Sequence, residues 1–299
     1  MVVTSVAGPN GFTTALVLTH GAKGDLSAGR LPLYAKAAAE AGVPCLRITL
    51  ASRNPEERAR IMQAVLLRAG TLSRALRGVR RWVLGGHSLG ARAAARAALG
   101  INRRPRAQGG GDEGGQQLWG AGHRAVGLVL SSFPVHPPGK PELLHDKLLG
   151  ALKLPLLFLR GTADPFSTPS GWEQLRSRIG SRDVERAAAQ QRRLGARPVR
   201  SMASGGRRVC EVQGADHALR ISGPRAMQEP VDRQLAAALT GFLKQRLKER
   251  GGARGAAAGV KDASEGSGGE RRRRKRRRRL GAAAQGRASP AGAAAGRRI

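Results

Sequence analysis

The sequence predicts an α/β fold: a mostly parallel sheet of about six strands, with helices on both faces. Three observations carry this expectation. Short runs of consecutive Leu, Val and Ile recur along the chain, as in strands buried on both faces. Longer stretches with a single apolar stripe separate them, the pattern of crossover helices. Turns rich in Gly and Asp fall directly after the apolar runs, at the strand ends where such sheets carry their chemistry.

The strand candidates are 14–19, 43–50, 80–85, 124–131, 155–160 and 207–213. Numbered in sequence, these strands are expected in the sheet order 2-1-3-4-5-6. A helix over 31–41 stops at Gly42. A helix over 54–77 opens with Asn54 as its cap, Pro55 at the first position, and Glu56 and Glu57 at the positive end of the dipole. Val65, Ala69, Leu72 and Leu76 are its expected buried face. A last helix over 230–248 carries the stripe Val231, Leu235, Leu239, Phe242 and Leu243.

Residues 1–250 are thus expected to form one domain, with insertions at 102–122 and 181–206. The segment 251–299 is rich in Gly, Ala, Ser and Arg with almost no large apolar residue. It cannot offset the entropy of ordering and is expected to be a disordered basic tail.

The composition is 40% hydrophobic but only 3% aromatic, so the core must be built from Leu, Val, Ile and Ala. A net charge of +33 invites a nucleic-acid reading. Against it, Arg outnumbers Lys 44 to 9 beside abundant Ala and Gly, as a GC-rich coding bias produces. That bias does not account for nine consecutive cations, Arg271, Arg272, Arg273, Arg274, Lys275, Arg276, Arg277, Arg278 and Arg279. A nuclear-import signal or a phosphate-backbone contact competes here with a merely solvated tail. Protein partners or an import receptor are expected through this run, and nucleic acid is left open.

No apolar run approaches the ~18 residues of a membrane span, and the N-terminus lacks a basic segment and a long apolar one. A soluble intracellular protein, cytoplasmic or nuclear, with no membrane contact is the expectation. Cys45 and Cys210 sit in strand-like runs and are expected as small buried hydrophobes. His123, His136 and His145 lack metal-ligand spacing and are expected at the surface. No metal and no cofactor is expected.

The strongest chemical signal is Gly86-His87-Ser88-Leu89-Gly90, lying between an apolar run and an Ala-rich helical stretch. This is the G-x-S-x-G pattern of a nucleophile elbow. The turn is sharp, and glycine at 86 and 90 relieves crowding. Ser88 then stands at a helix N-terminus where amides can stabilise an oxyanion, with His87 beside the site. A chance match in a Gly-rich chain is the competing reading. Asp164 follows the run 155–160, where a carboxylate can orient an imidazole; an ordinary Asp-Pro turn competes. His217 follows the run 207–213, where it can take the proton from Ser88; a surface-loop histidine competes. The chain order Ser, Asp, His is that of the α/β-hydrolase fold, and three signals at three strand ends reinforce one another. The turn His20-Gly21-Ala22 after the first run fits the loop that gives a second oxyanion amide. The expected donors are the backbone N–H groups of Ala22 and Leu89, with His20 shaping the loop.

Leu18-Thr19-His20-Gly21-Ala22-Lys23-Gly24-Asp25, Gly85-Gly86-His87-Ser88-Leu89-Gly90, Ser132-Phe133-Pro134-Val135-His136, Leu157-Phe158-Leu159-Arg160-Gly161-Thr162-Ala163-Asp164 and Ala215-Asp216-His217 occur in that order. Over roughly residues 14–245 this set resembles the α/β-hydrolase-like family of testis-expressed protein 30 and NSL-complex subunit 3, itself similar to dienelactone hydrolases. The resemblance implies a three-layer α/β-hydrolase fold without the first two antiparallel strands of larger members, and a triad at Ser88, Asp164 and His217. It leaves two functions open: a serine hydrolase acting on a small ester- or thioester-type acyl substrate, or a non-catalytic scaffold, as in a chromatin-associated complex. Only about 23 residues separate 131 from 155, too few for a large cap, so an open site is expected.

Overall fold

The computed structural model describes residues 2–4, 12–102, 121–137, 139–140, 142–179, 199–201, 206–224 and 227–258. The strands are β1 (Val2–Thr4), β2 (Thr14–Thr19), β3 (Cys45–Ile48), β4 (Arg81–His87), β5 (Arg124–Ser131), β6 (Leu156–Gly161), β7 (Val199–Ser201) and β8 (Arg207–Val212). They form one sheet in the order β1-β3-β2-β4-β5-β6-β8-β7. The six central strands are parallel and follow the expected order. A three-residue antiparallel strand is added at each edge, β1 on β3 and β7 on β8. The first corrects the expectation of a sheet without N-terminal antiparallel pairing. The second falls in the stretch 181–206, where no strand was expected.

Alternation along each strand builds the three layers, because successive side chains point to opposite faces. On β2, Ala15 and Val17 join one core while Leu16 and Leu18 join the other; on β6, Leu156 and Phe158 oppose Leu157 and Leu159. One face is covered by α1 (Leu31–Glu40) and by the part of α7 (Gln228–Ala258) that carries Val231 to Leu247. The other is covered by α2 (Pro55–Leu67), α4 (Leu89–Asn102), α5 (Asp146–Gly150) and α6 (Pro169–Arg178). Six alanines of α4, from Ala91 to Ala98, are buried in the core on this face of the sheet. The stripe Val231, Leu235, Leu239, Phe242 and Leu243 is buried as expected. Cys45 and Cys210 are free and fully buried.

The stretch 54–77 departs from the expectation of one helix. Helix α2 ends at Leu67, and α3 (Ala69–Leu72) and a 3₁₀ turn at Arg74–Leu76 follow. The chain folds back, so that a Cβ on Gly70 would lie 3.2 Å from the Cα of Arg77. The buried face of α2 is therefore Arg58, Ala59, Met62, Gln63 and Leu66, while Leu72 is 43% exposed.

Strands β3 and β4 flank β2 on opposite sides, so the chain diverges in both directions from the end of β2. Ligands bind at such a switch point. The loop after β2 and the turn after β4 meet there. Among the described residues, no helix is long and apolar enough to cross a membrane. Residues 103–120 of the expected insertion 102–122, and the run Arg271–Arg279, lie outside the described residues. The chain divides after Arg250, and every site residue discussed below precedes that point.

Candidate active site

Strand β4 runs into Ser88, whose φ of 53° puts a non-glycine residue in the left-handed region. The Ser88 amide donates to the Ser131 carbonyl at the end of β5 (2.9 Å), and the Ser88 carbonyl accepts from Ala91 (3.0 Å), opening α4. A Cβ on Gly86 would stand 2.6 Å from both the Gly90 carbonyl carbon and the Thr19 oxygen. One on Gly90 would stand 2.5 Å from the Thr19 oxygen and 2.6 Å from the His20 oxygen. The two glycines thus admit the backbone of the β2 loop as well as relieving the turn itself.

Asp164 lies three residues beyond β6 and is buried. His217 lies beyond β8 with its side chain 24% exposed. The two loops are tied edge to edge. Ala163 donates to the Ala215 carbonyl (2.9 Å) and Gly214 to the Thr162 hydroxyl (2.8 Å). A Cβ on Gly161 would collide with the Ala215 carbonyl. The three polar groups form one relay: His217 Nδ1 to Asp164 Oδ2 at 2.8 Å, and His217 Nε2 to Ser88 Oγ at 2.9 Å. Asp164 Oδ1 also accepts the Phe166 amide at 2.9 Å, and the Phe166 ring meets the imidazole edge-on at 4.6 Å. Such a chain can transfer a proton from Ser88 to His217 while the carboxylate holds the imidazole orientation.

The β2 loop lies against the nucleophile: a Cβ on Gly21 would sit 3.5 Å from the Cβ of Ser88 and 3.2 Å from His87 Cδ2. The amides of Ala22 and Leu89 have no hydrogen-bond acceptor among the described residues. His20 is buried. Its Nδ1–H donates to the Gly21 carbonyl (2.8 Å), and its Nε2 accepts the Leu50 amide (3.0 Å). Burial and the nearby Arg58 lower its pKa, so the neutral ring shapes the loop. His87 packs 5.1 Å from the His217 ring. Burial, and then His217, push its pKa down to about 4, so it is neutral near pH 7.

Two histidines expected at the surface are buried, His123 at 6% and His136 at 4% exposure. His123 lies parallel to Trp82 and accepts its indole N–H at 2.8 Å, which gives the largest buried side chain its hydrogen-bond partner. His136 Nδ1 bonds the Pro137 carbonyl.

Several residues that shape the site were not singled out from sequence. Asp216 Oδ1 accepts the amides of Ala218 (2.8 Å) and Arg220 (2.9 Å), closing the turn that presents His217. Its place beside His217 in an Asp-bearing turn was the available signal. Buried Arg160 reaches Glu211 (2.7 Å) and the Ser167 carbonyl (2.9 Å), and stacks on Trp172, bracing the Asp164 loop. Arg58, from α2, grips the loop at His20 and Gly21.

A doubly wound sheet with a strained serine elbow and an Asp-His-Ser relay at its strand ends defines the class of the α/β hydrolases. The chain belongs to the Alpha/beta hydrolase domain family, whose profile matches residues 12–185. That span contains Ser88 and Asp164; His217 lies beyond it. Among solved structures, the chain is similar to an alpha-beta serine hydrolase homologue from Coxiella burnetii, at 15% identity over 80% of this chain and 88% of that one, with a TM-score of 0.50. It is also similar to Est1E from Butyrivibrio proteoclasticus, solved with ferulic acid bound, at 11% identity over 83% and 94% of the two chains, with a TM-score of 0.51. At these identities the likeness is one of fold.

Proposed function

We propose that this chain is a serine hydrolase that cleaves a small ester- or thioester-type acyl substrate through Ser88, His217 and Asp164. The observation that carries the reading is the unbroken relay from Asp164 through His217 to Ser88 Oγ. Ser88 Oγ attacks the acyl carbon as its proton passes to His217 Nε2, and the developing oxyanion accepts the Ala22 and Leu89 amides. His217 then returns the proton to the leaving group, and water repeats the cycle on the acyl-enzyme. Asp164 accepts the Nδ1–H of His217 and holds that tautomer. Among the described residues, the connection from β5 to β6 carries one helix, of five residues. This supports an open site and a small or surface-presented substrate. Within the family, we assign the chain by its ordered motifs to the group of testis-expressed protein 30 and NSL-complex subunit 3.

A fluorophosphonate probe tests the reading. Labelling at Ser88 is expected in the natural protein, with loss of about 10⁴-fold or more in Ser88→Ala and His217→Ala. A folded natural protein that stays unlabelled sinks the hydrolase reading and favours the interaction platform.

A further inference from the structure

Arg58 lies near the N-terminus of α2, where a cation opposes the helix dipole and where a polar helix face would normally carry it into water. Instead it is fully buried. Among the described residues, its hydrogen-bond partners are four carbonyl oxygens and no carboxylate. Nη1 donates to His20 O (2.7 Å) and Gly21 O (3.0 Å), Nη2 to Leu50 O (2.8 Å), and Nε to Ser52 O. Burying a cation without a counter-charge is costly. An apolar side chain of similar length would avoid that cost but would leave these carbonyls without the donors Arg58 supplies.

The Gly21 oxygen is the informative partner, because it belongs to the same peptide group as the Ala22 N–H. A trans, planar peptide points its oxygen and its hydrogen in opposite directions. Arg58 Nη1 and His20 Nδ1–H both hold that oxygen, so together they fix where the Ala22 N–H points. His20 cannot swing away, because its Nε2 accepts the Leu50 amide while Arg58 holds the Leu50 carbonyl.

We infer that Arg58 is a positioning residue for the oxyanion. From behind the loop, it aims the Ala22 amide toward the acyl oxygen on Ser88. This rests on the hydrolase reading above. The guanidinium also polarises the peptide it grips, since hydrogen bonds in series strengthen one another. The Ala22 N–H becomes a better donor to an oxygen that gains charge in the transition state, and the loop needs no rearrangement when that charge appears.

The test uses the full chain and four proteins: the natural sequence, Arg58→Met, Arg58→Lys, and Met62→Ala as a control. Met62 lies one turn further along α2 and is fully buried, but it belongs to the apolar core. The readouts are the rate of fluorophosphonate labelling at Ser88 per folded molecule, and kcat and KM on p-nitrophenyl acetate. Arg58→Met is expected to label about 10- to 100-fold more slowly, with the loss in kcat and little change in KM, the signature of a misaimed oxyanion donor. Arg58→Lys keeps the charge but cannot span four carbonyls, and is expected to fall between. Met62→Ala is expected to lose thermal stability and keep its labelling rate. Arg58→Met labelling as fast as Met62→Ala overturns the inference. If Arg58→Met does not fold, Arg58→Lys decides: a folded protein with an unchanged rate overturns it, and a slowed one supports it. If neither folds, Arg58 belongs to the fold alone and the inference falls. An unlabelled natural protein removes the hydrolase reading and this one together. A labelled natural protein with indifferent Arg58 variants removes only this one.

Discussion

The two halves of the site are held in different ways. On the nucleophile side, where β2, β4 and α4 meet, backbone lies directly on backbone. Gly86 and Gly90 leave no room for a Cβ, and Ser88 sits at a positive φ. On the acid–base side, at the ends of β6 and β8, backbone also meets backbone at Gly161 and Ala215, but side-chain hydrogen bonds are added to it: the Thr162 hydroxyl and the Asp216 carboxylate accept backbone amides, and Arg160 pairs with Glu211. A site held by steric exclusion breaks when an atom is added. A site held by hydrogen bonds loses function in steps as single partners are removed.

Asp164→Asn should have the largest effect on rate without affecting the fold. The amide keeps an oxygen for the Phe166 N–H but no longer enforces the imidazole tautomer. Labelling and kcat should fall about 10⁴-fold, with the melting temperature little changed. Gly90→Ala should fail differently, losing about 3 kcal/mol or more of stability as the new methyl meets the Thr19 and His20 carbonyls, with labelling lost in parallel. A Gly90→Ala protein that melts normally, or an Asp164→Asn protein that unfolds, would erase the distinction between the halves.

The smallest effect is in pH dependence. Burial holds His87 and His123 near pKa 4, against an ordinary value of 6.5. Between those values the unfolded chain binds protons that the folded chain does not, so stability falls as pH drops through that window. It is regained above about 6.5. The melting temperature should drop by roughly 5 °C or more from pH 7 to 4. His123→Gln, which keeps an acceptor for the Trp82 indole, should flatten that slope. An unchanged slope would remove His123 as its source.

The same contrast explains what could be read before the fold was known. The limits of β2 and β5 were legible residue for residue, because strands buried on both faces are continuous in sequence. Ser88 was legible because its turn demands glycine at two fixed positions. Asp164 and His217 have no such local demand and stood out by following apolar runs, by the order Ser, Asp, His, and by the family resemblance. Arg58 gave no local signal: its partners come from residues 20–21, 50 and 52, and nothing in the helix pattern marks it as buried. The break at Leu67 was hidden for a related reason, since the stripe Val65, Ala69, Leu72 and Leu76 has helical spacing whether or not the helix continues. The buried His123 was missed because its partner, Trp82, lies 41 residues away.

The two strands at the margins of the sheet bear on how the molecule behaves in a crowd of its own kind. A parallel sheet left open at its sides offers rows of unmatched amides and carbonyls to which another chain can add. Here β1 and β7 each cover a side with three residues running against the grain of the sheet. Among the described residues the outermost rows are therefore three residues long, and a row that short offers another chain less to pair with than a full-length strand would.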